Sequence, residues 1–228
     1  MRLSSPPEAQ VAPARMVEVR RSLLKANDLR ARELRQRFTT ACVQVVSLVS
    51  SPGAGKTALL EVLLTRLRRT HAAAALVGDL ATDNDAVRLA RSGAPVRQIN
   101  TGNLCHLEAR MVEEGLADWD LSALDVLFLE NVGNLVCPSA YDLGEAERWV
   151  LLSVTEGEDK PLKYPTIFNT ADVAVITKLD LAAAAGCDLA RLRTNITEVR
   201  PGMAIIEVSA RTGAGLERLL QRVHTPAP

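Results

Sequence analysis

Between Val49 and Leu59 the chain reads VSSPGAGKTAL, with two glycines, a lysine and a threonine where an apolar run gives way to a helical one. Gly53 and Gly55 carry no Cβ, so the backbone N–H groups around them can close on phosphate oxygens. Lys56 can reach the β- and γ-phosphates of a nucleotide, and the Thr57 hydroxyl can sit on the Mg²⁺ that accompanies them. The start of a helix adds a field that favours an anion. Ser51, Pro52, Gly53, Ala54, Gly55, Lys56, Thr57 and Ala58 are therefore the candidate phosphate-binding residues. The pattern is G-x-x-x-x-G-K-[ST] with one exception, because Ser50 stands where the first glycine belongs. That position is at a strand exit, outside the ring of amides, and tolerates a small side chain at ordinary backbone angles. A glycine-rich turn without a ligand is the alternative, and the strand–loop–helix setting argues against it.

Phosphates and one hydroxyl leave positions of an octahedral Mg²⁺ open, so carboxylates are expected nearby. Asp79 in LVGDLATDND and Glu130 in VLFLENVG both end β-like runs. Such strand ends collect the ligands of an open α/β sheet. With Thr57, they are the candidate Mg²⁺ ligands. Gly133 can offer its N–H to a γ-phosphate. Lys56, Asp79, Asp83 and Asp85 are candidates for the reacting centre; for Asp83 and Asp85, N-capping of the next helix is an equal alternative. ITKLD, Ile176 to Asp180, resembles the N-K-x-D box of GTPases, and VSAR, Val208 to Arg211, resembles their S-A-[KR] box. Asp180 can accept from guanine N1–H and N2–H₂, a pair adenine lacks. The Lys178 stem can cover the base, and backbone N–H groups at Ser209 and Ala210 can reach O6. Thr177 replaces the usual Asn and removes an orienting amide worth about 1 kcal/mol.

Three soft ligands remain. NTGNLCHLEA places Cys105 beside His106, and ENVGNLVCPSAYD places Cys137 seven residues beyond Glu130. None has C-x-x-C spacing, and small core cysteines are the alternative. Two thiolates and an imidazole suit Ni²⁺ or Zn²⁺. Three ligands leave the shell incomplete, and two chains meeting across a two-fold axis could complete it. Cys42 and Cys187 are assigned to packing.

The elements that must position these residues alternate along the chain. Strands are expected at 43–49, 72–79, 96–100, 124–130, 149–155, 172–178 and 203–209, and helices near 57–69, 83–92, 104–117, 188–199 and 214–223. Continuous apolar strands alternating with helices predict an α/β P-loop NTPase fold with a mainly parallel, doubly wound sheet. Residues 1–14 read as a disordered lead, 15–38 as a helix, 39–224 as the nucleotide-binding domain and 225–228 as a tail. The helix carries an apolar stripe of Val19, Leu23, Ala26 and Leu29, with eight basic and three acidic residues. It is read as a docking arm or as a solvated helix laid on the domain by that stripe.

Bulk composition narrows the function. The 27 Lys+Arg balance the 27 Asp+Glu, and aromatics make up 3%, so neither charge nor stacking surface points to nucleic acid. No apolar run approaches the ~18–20 residues that span a bilayer. The stretch MRLSSPPEAQVAPAR lacks the apolar run of a secretory signal, and four irregularly spaced cysteines suggest no disulfide framework. A cytoplasmic protein with reduced thiols is expected.

From about residue 40 to 220 the chain resembles the hydrogenase nickel-incorporation GTPases, the HypB family. The resemblance is carried by LVSSPGAGKTALLE, GDLATDNDA, INTGNLCHLEA, LFLENVGNLVCPSAYDLGE, LLSVTEGEDKPLKYPTIF and EVSARTGAGLE. A serine before S-P-G-x-G-K-T is that family's own form of the loop. The resemblance implies a nucleotide-dependent dimerising G domain, slow GTP hydrolysis to GDP, and a metal site at the dimer interface from Cys105, His106 and Cys137. It also implies delivery of nickel, with zinc able to occupy the same site, to the large subunit of [NiFe] hydrogenase alongside a HypA-type accessory protein. Many relatives begin with a cysteine-rich nickel motif and a histidine-rich tract. This chain opens MRLSSPPEAQ with neither, so the resemblance does not carry nickel storage or tight N-terminal nickel binding over to it. The urease accessory nickel GTPase is the nearest competitor, but its C-P-H motif differs from the CH and later CP found here. A related GTPase that protects cobalamin-dependent mutases gives no reason for the three soft ligands. A non-catalytic, guanine-nucleotide-dependent adaptor with buried cysteines is the alternative from another class.

Overall fold

A computed structural model of the chain describes residues 13–79 and 84–224. Seven strands form one sheet: β1 Gln44–Ser50, β2 Ala73–Asp79, β3 Val96–Asn100, β4 Val126–Glu130, β5 Glu147–Ser153, β6 Val173–Thr177 and β7 Ala204–Glu207. Their order is β3-β2-β4-β1-β5-β6-β7. Every pairing is parallel, a stricter outcome than the mainly parallel sheet expected. Among the described residues, eight α-helices accompany them: α1 Pro13–Thr40, α2 Lys56–Leu67, α3 Asn84–Ala90, α4 Ala109–Gly115, α5 Lys160–Lys163, α6 Pro165–Thr170, α7 Leu189–Val199 and α8 Leu216–His224. The disordered lead lies outside the described residues up to residue 12, as does the 225–228 tail.

The period-two alternation of each strand sorts its side chains onto two covered faces. Val46, Leu48, Ala75, Val77, Phe128 and Leu151 pack with Leu59, Leu63 and Leu67 of α2 and Leu219 of α8. Val45, Leu76, Leu127 and Leu129 face the other way, against α1 and α4. Val150, Leu152, Ala174 and Ile176 continue that second face under α6 and α7. Phe128 and Trp149 meet edge-on at 6.2 Å in the first layer. Burial on both faces is why these strands read as unbroken apolar runs.

β1 lies between β4 and β5, so the chain winds outward in both directions from it. Pairing of Leu48 with Glu130 and of Val77 with Glu130 sets Ser50, Asp79 and Glu130 along one sheet edge. A ligand crevice belongs at that switch point.

Three expectations need correction. The first concerns α1, whose buried face is Asn27, Ala31, Leu34 and Phe38, while Leu23 and Leu29 are 59% and 52% exposed; Ala26 is exposed too. The stripe was misplaced because the buried face opens with a polar residue. Asn27 accepts from Ala109 N–H at 2.9 Å and donates to the Asp142 carbonyl at 2.8 Å, capping what hydrophobic periodicity cannot see. The second concerns β5, which begins at Glu147, two residues earlier than expected. Glu147 accepts from the Trp149 indole and from Arg222, and Arg148 is paired at 2.7 Å with Glu145, so both charges enter the sheet with partners. The third is Cys42, which is exposed in a left-handed turn at φ 57 rather than packed. Cys187 does pack, against the α7 layer. The short helices α5 and α6 escaped notice because Pro161 and Pro165 read as breakers, yet each occupies a first-turn position that needs no N–H.

The corrected face of α1 makes a direct prediction. Leu34→Ala should destabilise the protein by about 2–5 kcal/mol in urea unfolding, and Leu29→Ala by no more than about 0.5 kcal/mol. The reverse ranking would return the helix to the expected stripe.

Candidate functional site

The phosphate loop joins β1 to α2, and Gly53 and Gly55 adopt φ 75 and 96, a region closed to residues with a Cβ except at a cost. Lys56 is buried at the start of α2 and donates from Nζ to Ser50 Oγ at 2.9 Å. The Ser50 hydroxyl in turn donates to the Ser51 carbonyl at 2.6 Å. Burial lowers the pKa of Lys56, and the charges of Glu130, Asp85 and Glu156 oppose that shift. The serine that broke the sequence pattern is thus the partner of the loop lysine. Glu156, which sequence reading missed, accepts from the Ser51 hydroxyl and from Ser153 N–H. It sits in the turn after β5, where no periodicity marks it.

Thr57 donates to Glu130 Oε1 at 2.7 Å. Among the described residues, Glu130 Oε2 is buried with no hydrogen-bond partner. Burial pushes the Glu130 carboxyl up to about 7, against the pull of Lys56 and the Thr57 bond. A buried carboxylate with one unpaired oxygen beside a threonine hydroxyl fits a hard divalent cation, so the residues suit Mg²⁺. Asp79, Asp85, Gly133 and Lys178 line the same cavity of about 560 Å³, and so does Arg88, a further residue missed from sequence. Asp83 lies outside the described residues. Gly133 is pressed onto the phosphate loop: a Cβ there would stand 2.9 Å from Pro52 Cα.

A second cavity of about 240 Å³ adjoins the first and shares Gly55, Ala58 and Lys178 with it. Thr177, Asp180, Ala210 and Arg211 complete its wall. The Thr177 hydroxyl donates to the Ala54 carbonyl at 2.6 Å, so the hydroxyl ties this wall to the phosphate loop where an amide was expected to be lost. Lys178 holds a left-handed conformation at φ 57, and its Nζ donates to the Gly53 carbonyl at 2.7 Å, laying the stem along the cavity. The Ser209 hydroxyl donates to Asp180 Oδ1 at 2.6 Å and orients the carboxylate. Ser209 N–H donates to the Ala214 carbonyl at 3.0 Å, and Ala210 lines the cavity beside it.

Cys105, His106 and Cys137 come together, their ligand atoms lying within 4.8 Å of one another. Cys105 Sγ is 2.8 Å from Cys137 Sγ and 3.9 Å from His106 Nδ1. His106 is 6% exposed and lies against the Tyr141 ring at 3.9 Å. Burial lowers its pKa, opposed by Glu108, and so favours the neutral imidazole that a metal requires. Residues 104–107 form a loop, not the expected helix start, because α4 begins only at Ala109. This arrangement is chemically able to hold one soft or borderline ion.

Glu130 gives the site a pH signature. Its carboxyl rises from 4.5 to about 7 on folding, so this contribution to stability is complete below about 4.5 and is lost as pH climbs through about 7. Nucleotide-free wild type should therefore lose up to about 3 kcal/mol relative to Glu130→Gln between about pH 5 and pH 8 in urea unfolding. Parallel profiles would remove the buried, cation-seeking carboxylate from the account.

The comparisons with known proteins agree with this geometry. Residues 44–207 match the CobW/HypB/UreG nucleotide-binding domain family. The chain is 46% identical over 206 residues to the hydrogenase maturation factor HypB of Azotobacter vinelandii, covering 90% of this chain and 68% of that one. To its Escherichia coli K12 counterpart it is 43% identical over 211 residues, covering 92% and 73%. The crystal structure of HypB from Helicobacter pylori in complex with nickel superposes with a TM-score of 0.82 at 39% identity, covering 87% of this chain and 94% of that one. A signal recognition particle 54 kDa protein from Aeropyrum pernix, at 17% identity and a TM-score of 0.56, shares the fold. The phosphate loop, the family match over residues 44–207 and the similar sequences together place this chain in the HypB family of hydrogenase maturation factors.

Proposed function

We propose that this chain is a GTP-hydrolysing nickel carrier that serves the large subunit of [NiFe] hydrogenase, alternating between a GTP-bound dimer and a GDP-bound state. The observation that carries the reading is the joining of two sites by one short segment. Glu130 faces the phosphate loop at its start, and Cys137 meets Cys105 and His106 at its end. The Helicobacter pylori relative was crystallised with nickel, which supports nickel as the cargo.

Lys56 leaves Ser50 to meet the β- and γ-phosphates, and the 53–57 amides surround them. Thr57, Glu130 and Asp79 are the residues to hold Mg²⁺, which neutralises charge on the transferred phosphoryl group. Asp180, oriented by Ser209, accepts from the guanine edge, while Ala210 N–H is placed for O6. Asp85 and Asp83 are the candidates for positioning the attacking water. Slow hydrolysis is expected of this chain, as suits a timer rather than a metabolic catalyst.

Cys105, His106 and Cys137 supply three ligands to the ion, and a second subunit supplies the rest. Leu104 and Val136 support that closure, because each stands exposed one residue before a cysteine and would be covered by a partner. Zinc fits the same donors. A HypA-type accessory protein is the expected partner in transfer. A soluble, cytoplasmic carrier also fits the absence, among the described residues, of any helix long and apolar enough to cross a membrane. Service to urease is a second reading, favoured by a 42% identical relative from Helicobacter hepaticus named as a hydrogenase/urease maturation factor.

Two measurements test the proposal. In sedimentation with Mg²⁺, a non-hydrolysable GTP analogue and nickel, wild type should run as a dimer carrying one nickel per pair. The Cys105→Ala, Cys137→Ala variant should dimerise with nickel affinity reduced by roughly 100-fold or more; unchanged nickel binding would leave only the adaptor. For the base, Asp180→Asn should weaken GTP by about 10–100-fold and improve xanthosine triphosphate, whose O2 accepts from the new amide. A GTP affinity indifferent to that substitution would sink the guanine assignment.

A further inference from the structure

We propose that Asn131 and Asn134 are positioning residues that transmit the state of the phosphate site to the Cys105–His106–Cys137 cluster. This rests on the nucleotide-gated carrier reading above and names the parts inside one subunit that would do the gating.

The 130–137 segment leaves β4 beside the phosphate loop. Glu130 is bonded there to Thr57, and Gly133 lies so close to Pro52 that a Cβ would approach its Cα to 2.9 Å. Movement of the loop around a phosphate is therefore felt at Gly133 by direct contact. Interiors packed this closely pass displacement on rather than absorbing it.

Asn131 lies before that contact point and is 2% exposed. Its backbone N–H is pinned to the Leu48 carbonyl of β1 at 3.0 Å. Its side-chain oxygen accepts from Leu107 N–H, the residue after His106, at 2.9 Å. Leu107 is fully buried, so its N–H has no water to turn to if Asn131 moves.

Asn134 follows the contact point and reaches both cysteines. Its side-chain oxygen accepts from Val136 N–H at 2.8 Å and Cys137 N–H at 3.4 Å, and its amide donates to the Cys105 carbonyl at 3.5 Å. All three ligand residues thus answer to two asparagines, either directly or through an immediate neighbour. Residues 132–136 lie in neither helix nor strand, and Cys137 opens a single 3₁₀ turn, Cys137–Ala140. On the far side Asn27 of α1 anchors Ala109 and Asp142, beyond each ligand segment. The cluster is held at its outer margins by a helix and at its inner margin by the segment that touches the phosphate loop. A neutral amide suits the task, since it binds N–H and C=O together and brings no charge to compete with an ion.

The test is nickel titration of the full chain, followed by thiolate-to-nickel absorption. It is run without nucleotide, with GDP and Mg²⁺, and with a non-hydrolysable GTP analogue and Mg²⁺. Wild type should show nickel dissociation constants that differ between the two nucleotide states by about 10-fold, within the usual span of coupling between sites. In Asn131→Ala and Asn134→Ala, nucleotide affinity should stay within about 3-fold of wild type while that ratio contracts towards one. Asn134→Asp keeps the acceptor for Val136 and Cys137 but loses the donor to Cys105, so its ratio should fall between the two. If Asn131→Ala does not fold, Asn134→Ala and Asn134→Asp decide the matter alone. A wild-type ratio preserved in the asparagine variants, or a ratio of one in wild type, overturns the relay. Wild type that binds GTP and nickel with variants that keep its ratio sinks the relay alone, whereas wild type that binds neither takes the carrier reading with it.

Discussion

The parallel pairing of β1 with β4 is the constraint from which the rest of this molecule follows. It brings the strand that feeds the phosphate loop and the strand that ends at Glu130 side by side, in a register that pairs Leu48 with Glu130. Thr57 then finds Glu130 at 2.7 Å, and the chain beyond Glu130 has nowhere to run except across Pro52. A register slip of one residue would turn Glu130 to the opposite face and cut both links. The covered sheet is what fixes that register, because every β4 side chain is buried.

Burial is also what gives the site its chemistry. Lys56 and Glu130 are both withdrawn from water, and each is pushed towards its neutral form, the lysine downward and the carboxyl up to about 7. Neither charge is fully answered by the other. A bound anion would restore the lysine, and a bound cation the carboxylate. The pocket thus brings together two buried groups of opposite sign, and each is favoured in its charged form by a partner that brings the opposite charge.

Much of this could be read from the residues alone, for physical reasons that differ by element. Apart from the edge strand β3, whose VRQIN is mostly polar, the strands announced themselves because both faces are largely apolar, and the phosphate loop because glycine, lysine and threonine have few other reasons to stand in that order. What escaped was polar and buried. Asn27 hid the true face of α1, and Glu147 with Arg148 hid the start of β5, since a sequence reader assigns such residues to water. Asn131 passed unnoticed for the same reason, whereas Asn134 and Glu156 are only half-buried and escaped because their contacts with Cys105 and Ser51 span separations no local pattern encodes. The Cys105–His106–Cys137 cluster stood between these cases. Its residue types were suggestive, but only the fold brings positions 32 apart to within a few ångströms.

The hydrogen bond between Lys56 and Ser50 carries a further consequence. A nucleotide entering this pocket does not meet a bare ammonium group; it must take one already engaged by an uncharged oxygen. A phosphate oxygen offers that ammonium a charged acceptor where the serine offers a neutral one, and the charge-assisted bond is the stronger of the two. Sugars, amides and other uncharged visitors offer the lysine no more than the serine already does, so the preference of this pocket for anions is set within its own walls.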